Sequence, residues 1–209
     1  MLAEHERVAA LYLYNSEIGE KRVSLYLTLI SAGTAVFLGL AQFGVDRMLV
    51  LWSAAAYLAM VALVGTLTFE RLIERRVRST QYLRAINRIH CYFANRDPEL
   101  LRYYAWPAND DVPSFEGRTG VLSGLRDVVA LLNGVATGAM LAVGGMALGG
   151  SRYIVVDIAV AVLAAVAVWF VQQEYEARQL AQAEQAFQRF VRFPREGEAV
   201  RPAELGHEG

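Results

Sequence analysis

Two stretches of this chain contain neither glycine nor proline, and each changes character partway along. Thr66 to Arg96 continues an apolar run that starts near Met48, and Ser151 to Phe193 follows Gly150 in the same way. Each opens on residues apolar enough for lipid and closes on residues whose apolar side chains recur every three or four positions. Neither holds a residue that forces a helix to stop. The pattern favours rods that begin in an apolar medium and continue into water. It predicts an all-α integral membrane protein, with four transmembrane helices arranged as two hairpins and extended into a cytosolic helical stalk.

The composition agrees. Of 209 residues, 55% are hydrophobic, too many for an ordinary soluble domain, while 20% are charged, too many for a chain wholly in lipid. The formal net charge is -1, so no polycation is present and nucleic acid is not an expected partner. Cys91 is the single cysteine, which rules out an internal disulfide. Lys21 is the only lysine among the basic residues, an arginine skew that suggests a GC-rich bacterial genome.

A bilayer core of about 30 Å takes roughly 20 mostly apolar helical residues. Four segments qualify: about Val23 to Phe43, Met48 to Thr68, Val128 to Leu148 and Tyr153 to Gln173. Gly44 to Arg47 joins the first pair and Gly149 to Arg152 the second, both short enough for tight hairpins. Glu4, Glu6, Glu17 and Glu20 precede the first apolar run where a signal peptide would start basic, so the first span is expected to be its own insertion signal. The hairpin tips carry one arginine each, whereas nine lie between Arg71 and Arg118 and five in the C-terminal segment. By the positive-inside rule both termini and the central segment face the cytoplasm of a bacterial inner membrane. Trp52, Tyr153, Tyr26 and Trp169 sit near span ends, where interfacial aromatics belong.

The expected organisation is a cytosolic amphipathic helix over 1–22, a transmembrane hairpin over 23–68, and a cytosolic helical segment and loop over 69–122. A second hairpin follows over 123–173, then an amphipathic helix over 174–193 and a disordered tail over 194–209. Val8, Leu11, Asn15, Ile18, Arg22 and Leu25 trace one helical face. Phe69, Leu72, Ile73, Val77, Leu83, Ile86, Ile89 and Phe93 mark another, and Leu180, Ala183, Phe187, Phe190 and Val191 a third. Asp97-Pro98-Glu99 starts a short helix to about Ala105. The following residues, Trp106 to Phe115, read as a structured loop. Its Asn109, Asp110 and Asp111 lack the alternating acids and closing glutamate of a calcium loop and are expected to form a solvated turn.

Few residues carry chemistry. Arg71, Arg75, Arg76 and Arg78 cluster just after the second span, where they suit topology and anionic lipid headgroups. Ala130, Gly134, Gly138 and Ala142 form a four-residue stripe on the third span, fit either for close packing within one chain or for a subunit interface. Asn133 and Thr137 lie beside it, one turn apart, as interhelical hydrogen-bonding groups or as neutral lining of a pore with Ser31 and Thr34. Asp157 is expected to reach water near the start of the fourth span. His90 and Cys91 are adjacent, but neighbours on a helix point about 100° apart. No phosphate loop, zinc spacing or serine elbow occurs, so neither catalytic residues nor a cofactor or metal site is assigned.

Tyr14 to Arg22 entering the first span, and Tyr82 to Phe93 before the Asp-Pro turn, are similar to stretches in small bacterial four-span membrane proteins. Over roughly residues 1–95 the layout of a hairpin followed by a cytosolic helix also resembles the SLATT-type membrane effectors linked to bacterial defence. That resemblance implies an effector that oligomerises into a pore. Those proteins have two spans where this chain has four, and no functional residue transfers. The residues themselves favour a non-enzymatic multi-pass membrane protein, a scaffold or sensor acting through its cytosolic helices. Its expected partners are anionic lipid, further copies of itself and a cytosolic protein. The other reading is an oligomeric ion-conducting or membrane-permeabilising effector.

Overall fold

The computed structural model describes residues 2–103, 109–115, 124–149 and 154–193, and no strand occurs among them. Four helices make the fold: α1 (Leu2–Gln42), α2 (Arg47–Arg96), α3 (Leu125–Gly149) and α4 (Ile154–Gln188). Each is long and apolar enough to cross a membrane. The helix ends follow local chemistry. Past α1, Gly44 adopts a φ of 68°, a conformation that a β-carbon resists. Asp46 then caps α2 by accepting the Leu49 N–H at 2.9 Å. The 50 residues of α2 make a rod of about 75 Å. Beyond it Asp97 accepts the Glu99 N–H at 3.1 Å and opens a 3-10 turn, Pro98–Arg102, shorter than the helix expected to Ala105. Trp106 and the tail from 194 lie outside the described residues. The last helix stops at Gln188, where the Phe190 N–H turns back to Phe187 O and that of Val191 to Gln188 O.

The helices contribute to two compact units, and α1, α2 and α4 each supply residues to both. The first comprises the described residues of Met1–Ser16, Arg76–Gly117 and Leu180–Gly209; the second those of Glu17–Arg75 and Arg118–Gln179.

In the second unit Val23, Tyr26, Val61, Phe69, Leu72, Ile73, Val129, Ala130 and Ala136 form the core, with Tyr57 and Trp169 packed against it. Much of the surface outside that core is apolar. None of the most apolar 18 residues of α4 is buried, and Val155, Ile158, Val162, Leu163 and Phe170 are exposed. Contiguous apolar surface of this extent is foreign to a protein bathed in water.

In the first unit Val8, Cys91, Ala94, Phe115 and Leu180 are buried together with Thr80, Arg84 and Asp110. One of the expected faces is displaced, and a second departs from expectation in its latter half. On α1 the buried positions are Val8, Gly19, Val23, Tyr26 and Gly33, while Leu11, Arg22 and Leu25 are exposed. On α2 Phe69, Leu72 and Ile73 are buried as expected, but beyond the arginine cluster the deepest positions are Thr80, Arg84, Cys91 and Ala94, not Leu83, Ile86, Ile89 and Phe93. The physical reason is a set of polar partners. Arg84 is more deeply buried than any leucine near it because a loop and a carboxylate meet its guanidinium.

Candidate functional site

That loop is residues 109–115, and the first unit is built around it. Arg84, 1% exposed, donates through Nη2 to both Glu184 carboxylate oxygens at 2.9 Å and through Nε to Pro113 O at 3.0 Å. Its guanidinium also lies over the Phe115 ring, 4.5 Å from the centroid. One turn on, Asn87 donates to Val112 O at 2.7 Å, and Arg88 donates to Asp110 at 2.9 Å and to Phe190 O at 2.6 Å. Residues four apart on a helix share a face, so α2 presents Arg84 and Arg88 side by side.

Asp110 and Glu184 are the two acceptor centres. Asp110 is fully buried and takes the Arg88 Nε–H together with the Arg192 and Phe193 backbone N–H groups, the last at 2.9 Å. Glu184 takes Arg84, the Phe115 N–H at 3.0 Å and the Ser114 hydroxyl at 3.4 Å. Phe115 packs on Phe187 of α4, with ring centroids 5.5 Å apart. The expected solvated turn is therefore a buried clasp. The Asp110 carboxylate is occupied by three donors that leave little capacity for a metal, and no group of three metal-ligating side chains occurs among the described residues. Three flags for the clasp were present in the sequence: two arginines four apart, an acid beside the Leu180–Ala183–Phe187 stripe, and a loop stiffened by prolines.

The neighbours of the clasp are equally structural. Burial first, then the charge of Asp110, pushes the Cys91 thiol up to about 11, so it stays protonated and unreactive. His90 meets His5 ring to ring at 5.4 Å. Burial, then the facing His5, lowers the pKa of His90 from its ordinary 6.5. Asn15 donates to Ser79 at 2.8 Å and ties α1 to α2.

In the second unit the third-helix stripe faces α4. A β-carbon on Gly134 would lie 2.6 Å from Ala165 O, and one on Gly138 would press into Ala161 O, so both glycines admit the α4 backbone. Ala130 is buried and Ala142 half-buried. Asn133, 1% exposed, donates to Thr66 of α2 at 2.9 Å, while Thr137 donates back to Asn133 O. Tyr26, expected at an interface with solvent, is 2% exposed and belongs to the core. The Asp157 carboxylate lies over Gly145, which leaves room for it. Near the first turn of α3, Arg126 pairs with Glu176 and Asp127 accepts from Gln173 at 3.1 Å.

The arginine cluster is divided. Arg71 pairs with Glu74 at 3.0 Å on the surface. The Arg75 guanidinium lies against Gly19, where any side chain would collide with it. Arg75, Arg76 and Arg78 are all engaged with other groups. No family model, curated protein or solved structure matches this chain.

Proposed function

We propose that this chain is a non-enzymatic, four-span protein of a bacterial inner membrane that serves as a scaffold or sensor. In this reading both termini and the clasped unit lie in the cytoplasm, as the arginine distribution requires. The bare apolar surface of α4 supports the membrane assignment. Arg71, Arg75, Arg76 and Arg78 then lie at the level of anionic headgroups, which attract such clusters. The observation that carries the scaffold reading is in the first unit. Its interior is locked by ion pairs, yet Leu13, Tyr14 and Tyr103 stand 64% or more exposed. Large apolar and aromatic side chains on a rigid, otherwise charged body suit a protein partner.

A photo-crosslinking residue at Tyr14 or Tyr103, in cells expressing the full chain, tests this. Adducts to a second protein or to another copy are expected. Adducts to lipid alone would put these faces on the bilayer and sink the reading.

A second reading, an oligomeric ion-conducting effector, draws on α1. Thr28, Ser31 and Thr34 are exposed, and each hydroxyl donates only to the carbonyl one turn back, at 2.9 Å. Neutral hydroxyls on the otherwise apolar second half of α1 suit a pore formed by several copies. Membrane potential in induced cells separates the two. A collapse that disappears in a Thr28→Val/Ser31→Ala/Thr34→Val variant would establish conduction and displace the scaffold reading. An unchanged potential is expected.

A further inference from the structure

We propose that Tyr26, Gly65 and Asn133 form a binding site for one water molecule that joins α1, α2 and α3. The inference holds whichever function the chain serves.

Two buried polar atoms in the second unit lack a hydrogen-bond partner although they face the same spot: the Tyr26 hydroxyl and Asn133 Oδ1. Their residues are 2% and 1% exposed. The other end of the Asn133 amide donates to Thr66 Oγ1 at 2.9 Å, which fixes the direction of Oδ1. The Thr66 hydroxyl gives its own proton to Ala62 O and has none left for Oδ1.

Gly65 shows where the two orphan oxygens meet. A β-carbon there would lie 2.5 Å from the Tyr26 hydroxyl and 2.8 Å from Asn133 Oδ1. Both therefore converge on the one position of α2 that has no side chain. They are not bonded to each other, yet they lie within the span that one water bridges, about 5.6 Å or twice an ordinary O–H···O separation. Asn133 Oδ1 only accepts, so the ligand must donate to it. The Tyr26 hydroxyl both donates and accepts. A molecule the size of water, with two protons and two lone pairs, completes both groups and meets the requirement of two or more polar partners. The contact then links three helices without any direct bond between Tyr26 and Asn133.

Radiolytic footprinting of the purified full chain tests the site, because X-rays split bound water and oxidise the side chain it touches. Tyr26 should be oxidised despite its burial. When the protein is mixed into H₂¹⁸O before irradiation, ¹⁸O should enter the Tyr26 label more slowly than the label on exposed Tyr14, because the bound water must exchange first. In Asn133→Leu, oxidation of Tyr26 should fall to background. Gly65→Ala, whose β-carbon would fall 2.5 Å from the Tyr26 hydroxyl and 2.8 Å from Asn133 Oδ1 and crowd the space between them, provides the same test should Asn133→Leu fail to fold. An unlabelled Tyr26 in the native chain would mean a dry contact or a direct Tyr26–Asn133 bond, and would overturn the proposal. Equal labelling in the native chain and the folded variants would overturn it too.

Discussion

The two units handle buried polar groups in opposite ways. In the first, full charges are drawn inside and surrounded: Asp110 has three donors, and Glu184 binds a guanidinium, a hydroxyl and a backbone N–H. In the second, the buried charges Asp127 and Glu176 are met by Gln173 and Arg126 near the first turn of α3, and the other buried polar groups are neutral: Asn133, Gln172 and the Tyr26 hydroxyl. Close approach there comes from glycine. The contrast reflects what each element must be held by. A loop has carbonyls and N–H groups to satisfy, and charged side chains reach them strongly. A helix has already satisfied its backbone, so only shape and a few neutral groups remain to set its neighbours. Charge positions a loop, and absence of side chain positions a helix.

Asp110→Ala attacks the first half of that statement and should be the costliest change. It strips Arg88 and two N–H groups of their acceptor at a buried site, for which about 3–5 kcal/mol is expected. Denaturation of the purified protein should show it, with proteolysis beginning in the 109–115 loop. An Asp110→Ala variant as stable as the parent would mean that the clasp is ornamental. Gly138→Ala attacks the other half. Its methyl must displace a backbone carbonyl of α4 rather than a flexible side chain, which should cost about 1–3 kcal/mol.

The paired histidines allow a milder test. The folded form disfavours protonated His90, so the unfolded form takes up the proton first as pH falls. Stability is therefore unaffected above 6.5, declines below it, and levels off once the folded pKa is passed. Hydrogen exchange in residues 3–16 should quicken over that window, and His90→Phe should flatten the response. Gly39→Ala is the control, because open space surrounds that glycine. Its effect should stay within about 0.5 kcal/mol.

These cases also mark how far the sequence could be read. Helix ends were legible because their causes are local. Gly44 supplies a left-handed residue, and Asp97 caps the turn that follows it. Lipid-like length and apolarity were legible for the same reason. The clasp was not, because Arg84 and Glu184 are 100 positions apart. Nothing local says that an arginine will be among the deepest side chains on its helix. The glycine stripe announced a close contact but not its partner, which proves to be α4 of the same chain. Tyr26 misled because an aromatic at a span end and an aromatic in a three-helix core look alike in one dimension.

The clasp has a further consequence, for synthesis. Its arginines and its loop emerge early from the ribosome, whereas Glu184 and the N–H groups of Arg192 and Phe193 come after α4. Until then Arg84 lacks Glu184, Arg88 lacks Phe190 O and Asp110 lacks two of its three donors, so the loop is held by α2 alone. A chain stalled before residue 184 would hold four apolar helices nearly complete yet keep an open, charged wound on its first unit.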